Sequence, residues 1–453
     1  MLPVHIGCGA GFAGDRSDVA GPVVDELVGR PGERFLIFET LAERTLALAL
    51  QGAREQGGEG YSPSLERLVR PVLRKCLDSG IRIVGNFGAA DPGAGAKKLK
   101  EIAASFGRPD AKVAAVEGDD LTGVLTARQL AEREVGDTLL SDSPAIVSAN
   151  AYLGARPVAE ALDLGADIVI TGRVSDPALV LGPLVHCARW RENDWDLLAA
   201  GTLAGHLLEC GAQVTGGYFA DPGYKDVPGL EDVGYPIAEF HEDGSIIVSK
   251  PAGTGGRVDR QTVLEQLLYE IHDPAAYLTP DVTLDIRAVR IAELGDDRVS
   301  VVGAKGRPRP ETLKATVCFE GGVLGEAEIS YAGPNARARA RLAADVVSRR
   351  MRDRAPGLPV RIDMIGVQSV FSGISFDPSP PGPAGDCGDI RLRFATEAPD
   401  AATAGLLLDE VEALYCAGPA GGGGVRRRLA RRYKSASCLI ERGLVAPRAY
   451  FVD

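Results

Sequence analysis

The sequence predicts an α/β protein: a mostly parallel sheet with helices on both faces, followed by an α+β C-terminal domain with antiparallel strands. Short apolar strand patterns alternate with helix patterns through the first half of the chain. After about residue 281, strand patterns follow one another through short turns, which is typical of antiparallel pairing. Glycine makes up 56 of the 453 residues, and the tight turns of such a fold favour glycine.

The alternating half predicts one domain over residues 1–280. Its strand patterns cover residues 4–7, 35–39, 81–84, 113–116, 144–148 and 168–170. Its helix patterns cover residues 64–79, a stretch that ends at Ile102, residues 157–164 and residues 203–208. Thr40 and Glu43 have the spacing of a capping box that would start a further helix.

The second domain is predicted over residues 281–453, and it packs against the first because no low-complexity linker separates them. Its strand patterns cover residues 283–291, 299–302, 313–319, 324–331, 360–367 and 390–394. A hairpin turn is expected at residues 320–322. Helices are expected over residues 335–352 and 403–414.

Composition excludes several classes of function. A net charge of −12 disfavours nucleic acid and anionic membranes as partners. The eight cysteines form no Cys-x-x-Cys pair and the five histidines have no zinc-site spacing, so we expect no zinc site. Residues 2–13 are too short and glycine-rich for a signal peptide, and no apolar run spans a bilayer. We therefore expect a cytoplasmic protein.

The first glycine-rich loop has three interpretations. Residues 9–14 read Gly-x-Gly-x-x-Gly after a strand, and Glu39 ends the next strand, as in a dinucleotide-binding fold. However, an acidic stretch separates these glycines from the helix whose N-terminus would meet the pyrophosphate. The loop is alternatively a plain tight turn. We favour a third interpretation, in which Gly11 shapes the loop and Asp15 and Arg16 contact a substrate.

Three polar residues follow predicted parallel strands, whose carboxyl ends open onto the ligand crevice of an α/β sheet. Glu39 has the position of a general base, and the Asn86 amide that of a donor to a carbonyl oxygen. Arg173 would clamp a carboxylate or phosphate; the alternative is an ion pair with Asp176 or Asp167 that only holds the loop.

Residues 209–218 add polar groups after an apolar helix. His206 and Glu209 lie three positions apart, either as an acid/base pair or with His206 as a satisfied core histidine, which we favour. Cys210 is expected to be a buried structural cysteine. The candidate catalytic residues are therefore Glu39, Asn86, Arg173, Asp176 and Glu209. The candidate substrate-binding residues are Gly11, Asp15, Arg16, Asp91, Gln213, Thr215 and Gly255.

No motif requires a cofactor. The chain contains no Gly-x-x-x-x-Gly-Lys-Ser/Thr phosphate loop. Magnesium is a candidate cofactor, because Asp15, Glu39 and Asp91 offer the hard oxygen ligands that it prefers.

Together these loops resemble the acyclic terpene utilisation family. The resemblance runs along the chain through residues 9–16, 39–45, 85–90, 171–176, 205–217 and 418–425. The family takes its name from the bacterial breakdown of citronellol and geraniol, which proceeds through branched acyl-CoA esters. The resemblance therefore implies hydration of a CoA ester, or its reverse, as the expected reaction.

We accordingly expect a lyase of the hydratase or dehydratase type, acting on a small carboxylic acid or acyl thioester, in a homo-oligomer. One alternative is an NAD(P)-dependent oxidoreductase. The other alternative is a non-catalytic ligand-binding subunit.

Overall fold

The computed structural model describes residues 3–42, 45–47, 49–50, 59–136, 138–141, 145–367 and 389–453. The chain folds into two compact units: Met1–Cys318 with Ser435–Asp453, and Phe319–Lys434. The expected boundary near residue 281 falls inside the first unit. None of the helices in the described ranges is both long and apolar enough to cross a lipid bilayer.

Strands and helices alternate over residues 4–188, as the sequence predicts. The strands are β1 Val4–Ala10, β2 Glu33–Phe38, β3 Arg82–Gly85, β4 Val113–Glu117, β5 Ile146–Ala151, β6 Ile168–Thr171, β7 Ile237–Phe240, β8 Ile246–Ser249, β9 Tyr277–Leu278, β10 Thr283–Asp285, β11 Arg290–Gly295, β12 Arg298–Val302, β13 Lys305–Arg307, β14 Thr312–Ala332, β15 Arg361–Ile365, β16 Asp389–Ala398, β17 Gly422–Glu441 and β18 Arg448–Phe451. The α-helices are α1 Ala20–Val28, α2 Leu65–Ser79, α3 Pro92–Ser105, α4 Ala127–Ala131, α5 Arg156–Asp163, α6 Ala178–Ala188, α7 Trp195–Leu208, α8 Arg260–Leu268, α9 Ala336–Arg354 and α10 Ala401–Ala417.

The main sheet of the first unit is mixed. Its order is β11-β12-β8-β7-β1-β2-β3-β6-β4-β18. The five strands from β1 to β4 in this order are parallel to one another, whereas β7, β8, β12 and β11 extend the sheet antiparallel at one edge and β18 at the other. The predicted parallel sheet is therefore confirmed for the five central strands, whereas the sheet as a whole is mixed. Local patterns identify short strands but not the sheet edge that each strand joins.

Helices cover both faces of the parallel strands. From β1 to β4 the connections advance in one direction across the sheet, and α1, α2 and α3 pack beside one another on one face. The return from β4 to β6 reverses direction, so a right-handed crossover places α5 on the opposite face, where α6 and α7 pack beside it. Strands covered on both faces are apolar throughout, as Phe35, Leu36, Ile37 and Phe38 are.

Strand β5 forms near its predicted place but begins at Ile146; of the two earlier predicted residues, Ala145 is outside the strand and Pro144 lies outside the described residues. It does not join the parallel strands but pairs with β14, and Tyr152 N donates to Lys314 O just beyond it. The carbonyl oxygen of Ala149 and the amide of Ala151 bond to the segment after β4. These bonds explain why an apolar strand pattern lies outside the main sheet.

The second unit is α+β. Its sheet order is β15-β16-β14-β17, and β16 is antiparallel to both β14 and β15. Helices α9 and α10 pack on each other and on β16. The predicted hairpin turn at residues 320–322 is wrong, because β14 runs unbroken through it. Gly322 takes its positive φ of 84° within the strand, and register with β16 begins at Val323.

Two helical glycines are expected to respond oppositely to alanine. A Cβ at Gly205 in α7 would lie 2.6 Å from Pro177 Cα and 2.7 Å from Pro177 O, whereas a Cβ at Gly21 in α1 meets nothing within 4 Å. Gly205→Ala should lower the free energy of unfolding by about 1–3 kcal/mol through overpacking. Gly21→Ala should raise it by about 0.5–1 kcal/mol. Urea unfolding measures both, and stabilisation by both variants would contradict the close approach of the chain at Gly205.

Candidate functional site

A pocket of about 550 Å³ opens at the carboxyl ends of the parallel strands of the first unit. We call it the central pocket. Seven of the residues predicted from the sequence line it: Gly11, Asp15, Glu39, Arg173, Asp176, Glu209 and Gln213. They come from the segments after β1, β2, β6 and α7, so strand-end loops that are distant in sequence converge here.

Glu39 follows β2 and is only 9% exposed. Its Oε1 accepts hydrogen bonds from Leu41 N at 2.9 Å and from Asn86 Nδ2 at 2.8 Å. Burial raises the pKa of Glu39 to about 8, reinforced by the nearby Asp176 and opposed by Arg173 and by both hydrogen bonds. A carboxyl group with this pKa is largely protonated at neutral pH, so it can donate a proton as well as accept one.

Asn86 lies behind Glu39 and does not line the central pocket. It is fully buried, and its Oδ1 accepts from Thr40 N at 2.7 Å and from Thr40 Oγ1 at 3.2 Å. Since its amide donates to Glu39, Asn86 orients that carboxyl group. The predicted contact of this amide with a substrate carbonyl stays a prediction, and the structure places the amide against Glu39. The predicted capping partner of Thr40, Glu43, lies outside the described residues.

Arg173 is 3% exposed and bonded to protein groups. Its Nε donates to Val174 O at 2.9 Å, its Nη1 donates to Leu41 O, and its Nη2 pairs with Asp176. Its Cζ lies 4.2 Å from the ring centroid of Tyr152, a stacking contact. The ion pair with Asp176 that the sequence offered as an alternative is therefore present. Asp167 bonds to Lys112 N instead.

Asp119 fixes the backbone at Arg173 and was missed in the sequence. It is 4% exposed, and its Oδ2 accepts from Arg173 N at 3.0 Å and from Asn150 Nδ2 at 2.8 Å. Burial raises its pKa to about 6. A signal was available, because Asp119 follows the predicted strand that ends at Val116, in the same way as Glu39 follows β2.

Glu209 and His206 form a buried pair at the end of α7. His206 Nδ1 and Glu209 Oε1 are 2.9 Å apart, and the side chains are 1% and 9% exposed. Burial raises the pKa of Glu209 to about 7, although His206 opposes the shift. Glu209 Oε2 and His206 Nε2 are buried without a hydrogen-bond partner among the described residues. His206 is therefore not the satisfied core histidine that we expected, and the pair faces the central pocket through Glu209.

The opening loop is folded by Asp15. Its Oδ2 accepts from Gly11 N at 2.8 Å and from Phe12 N at 3.0 Å. A Cβ at Gly11 would lie 2.2 Å from Gly211 N, so only glycine lets this loop pack on the segment that carries Glu209. Because Asp15 accepts from the amides of Gly11 and Phe12 and α1 begins only at Ala20, these two amides and the start of α1 are not placed to bind a pyrophosphate.

Two predicted substrate-binding residues have structural roles outside the pocket. Arg16 bonds to Asp18 through Nε and Nη2 and to Glu231 O through Nη1. Asp91 is the N-cap of α3, with its Oδ1 accepting from Ala94 N at 2.8 Å. Neither side chain lines the central pocket, so its geometry does not support their predicted role in substrate binding.

Thr215 and Gly255 also lie away from the pocket. Thr215 is fully buried, and its Oγ1 donates to Gly234 O at 2.6 Å and Ala212 O at 3.0 Å. A Cβ at Gly255 would lie 1.8 Å from Gly229 O, so this glycine allows two backbone segments to approach each other. Both residues maintain the fold around the site and do not contact its ligand volume.

Burial raises the pKa of the Cys210 thiol well above its usual range, so this cysteine is not a ready nucleophile. Four further residues that were not predicted from the sequence also line the pocket: Tyr152, Tyr235, Tyr269 and Glu270. Tyrosines at scattered positions carry no spacing signal. Glu270 has a positive φ of 56°, an unusual backbone conformation at the pocket wall.

The central pocket is rich in carboxyl groups. Asp15, Glu39, Asp176, Glu209 and Glu270 line it, and Arg173 is the lining cation among the described residues. No group of three or more His, Cys, Asp or Glu side chains in the described ranges is arranged to hold a metal ion. Of the three carboxyl groups considered for magnesium, Asp15 and Glu39 line the pocket, whereas Asp91 is the N-cap of α3 and does not.

The fold and the pocket together define a mixed α/β protein with a carboxyl-rich pocket at the ends of its parallel strands. The chain belongs to the acyclic terpene utilisation family: the sequence model of acyclic terpene utilisation family protein AtuA matches residues 4–451. This confirms the resemblance found in the glycine-rich loops. No curated protein and no solved structure matches the chain.

The raised pKa of Glu39 predicts how stability depends on pH. An unfolded glutamate ionises near pH 4.5, whereas folded Glu39 holds its proton to about pH 8. Binding of this proton stabilises the folded protein fully below pH 4.5, and this stabilisation is lost as pH rises from 4.5 to about 8. Glu39→Gln should therefore make the fall in unfolding free energy between pH 5 and 8 shallower, by up to ~1.4 kcal/mol per pH unit.

Urea unfolding at several pH values measures this slope. Glu66→Gln is the matched control, because the hydrogen bond from Arg70 lowers the pKa of Glu66 and keeps its titration below the window. Equal slopes for the native protein and Glu39→Gln would show that Glu39 ionises normally.

Proposed function

We propose that the protein is a lyase of the hydratase or dehydratase type, in which Glu39 and Glu209 exchange protons with an acyl thioester. The observation that carries the proposal is two buried carboxyl groups on one pocket, with pKa values raised to about 8 and about 7. Carboxyl groups whose environments separate their pKa values are the usual signature of an acid and a base.

The two groups suit addition or removal of water across a carbon–carbon double bond. For dehydration, the Glu209 carboxylate takes the proton from the carbon next to the carbonyl, and the Glu39 carboxylic acid protonates the departing hydroxyl, which leaves as water. Hydration reverses each proton transfer. His206 stabilises the ionised form of Glu209, and Asn86 holds the Glu39 carboxyl group in place.

The electrostatics of the pocket favour a thioester over a free carboxylic acid. Five carboxyl groups line it, while Arg173 is already paired with Asp176. These groups would repel the carboxylate of a free acid substrate, whereas the acyl end of a thioester is neutral. The amide proposed to meet the thioester carbonyl is Gln213, which lines the pocket, since Asn86 does not.

The alternatives have less support. A nicotinamide cofactor would need free amides at the opening loop, and Asp15 occupies those of Gly11 and Phe12. A ligand-binding subunit would not require two carboxyl groups with pKa values near neutrality. Turnover measurements separate it from a lyase directly.

Activity should follow a bell-shaped pH profile with its maximum between about pH 7 and 8. Below this range both carboxyl groups are protonated and neither can accept a proton; above it both are ionised and neither can donate one, so the limits are the same for hydration and dehydration. The assay follows loss of ultraviolet absorbance from 2-enoyl thioesters of coenzyme A. A flat profile across this range would contradict the assigned pair.

Glu39→Gln and Glu209→Gln should each lower kcat by about 10²–10⁴-fold, the usual contribution of one acid or base. Glu66→Gln, on the surface of α2, should leave kcat unchanged. Full activity in either pocket variant would reject the mechanism. Tight thioester binding by the native protein without turnover would favour the ligand-binding subunit.

A further inference from the structure

A second pocket adjoins the central pocket in the first unit. It measures about 590 Å³, within the roughly 300–1,000 Å³ usual for small-molecule sites. We call it the side pocket; its apolar lining includes Val135, Leu278, Pro280, Pro310, Leu313 and Leu439. Tyr152, Asp176 and Glu270 line both pockets, so the two volumes meet at these residues.

We infer that the side pocket binds an aliphatic tail of the substrate whose reactive end lies in the central pocket. The inference rests on the proposed function for the identity of that reactive end. It assigns the substrate class as an acyl thioester with an extended aliphatic chain, in place of a short or polar acyl group.

The junction between the pockets is held rigidly. Tyr152 is 8% exposed, and its ring contacts two cations, with Arg173 Cζ 4.2 Å and Lys314 Nζ 4.8 Å from its centroid. Each contact is a cation–π interaction, which fixes the ring where both pockets share it. An ordered junction of this kind orients a ligand that passes along it.

Polar atoms without partners lie on both sides of the junction. Ser175 Oγ lines the side pocket beside Asp176, and Glu209 Oε2 belongs to a residue of the central pocket; both atoms are buried with no hydrogen-bond partner among the described residues. Neither atom is itself open to the pockets, and the polar groups that face the junction are the carboxyl groups of Asp176 and Glu270. A ligand with polar atoms at the junction and an apolar chain beyond it matches this distribution.

The side pocket suits a chain better than a nucleotide. Leucine, valine and proline side chains exclude water from an aliphatic ligand, and each buried methylene then strengthens binding by about 4-fold. Tyr277 is the aromatic residue that lines the side pocket without also lining the central pocket, and stacking of a base depends on such aromatic faces.

Binding of saturated N-acetylcysteamine thioesters tests the inference without any turnover. Butanoyl, hexanoyl, octanoyl and decanoyl thioesters have no double bond to hydrate, and calorimetry gives their Kd values. We expect Kd to fall by about 4-fold per methylene until the side pocket is filled. Leu278→Trp and Thr312→Trp narrow the side pocket and should remove this dependence. Leu294→Trp, at an exposed leucine of β11, is the matched control and should keep it.

Equal Kd values along the series would overturn the inference, as would a dependence that persists in both side-pocket variants. The result is separable from the proposed function. If binding depends on chain length but the protein does not hydrate enoyl thioesters, the side pocket binds an aliphatic tail and the lyase is rejected. Turnover of every chain length with the same kcat/KM would support the lyase and reject the binding of an aliphatic tail in the side pocket.

Discussion

The structure of the site depends on the burial of one carboxyl group, that of Glu39, at the end of β2. A buried carboxyl group needs hydrogen-bond donors, and they come from Leu41 N and from Asn86 at the end of β3. In the same segment, the carbonyl oxygen of Leu41 accepts a hydrogen bond from Arg173, which follows β6. Three neighbouring strand ends are thus connected through the groups that surround Glu39.

The partners of Arg173 determine the character of the pocket. A guanidinium free to pair with Glu39 would hold that carboxyl group ionised. Instead Arg173 bonds to two carbonyl oxygens and to Asp176, and Asp119 fixes its backbone. Burial therefore dominates at Glu39 and raises its pKa to about 8. A pocket with an excess of carboxyl groups disfavours anions and favours neutral ligands.

Position along the chain was enough to predict which loops form the site, but not which side chains face it. Glu39 and Arg173 were found because parallel strand ends converge, and Glu209 because polar residues cluster after an apolar helix. Asp15 and Arg16 are adjacent in sequence, yet Asp15 lines the pocket and Arg16 does not. The difference depends on partners such as Glu231 that are distant in sequence. The same limit applies to the sheet, because the patterns of β7 and β12 do not specify the edge they join.

The His206–Glu209 pair gives the second carboxyl group a different environment from the first. Two carboxyl groups on one small pocket disfavour simultaneous ionisation, so identical surroundings would leave them competing for one proton. Glu39 is bonded to neutral amides, whereas Glu209 is bonded to a histidine whose charged form favours the carboxylate. The proton therefore remains on Glu39 when Glu209 ionises. Close packing at Gly11 places the Glu209 segment against the loop after β1, and Glu39 N donates to Ala10 O at the end of β1, so the fold holds both carboxyl groups at one pocket while their different partners separate the roles of acid and base.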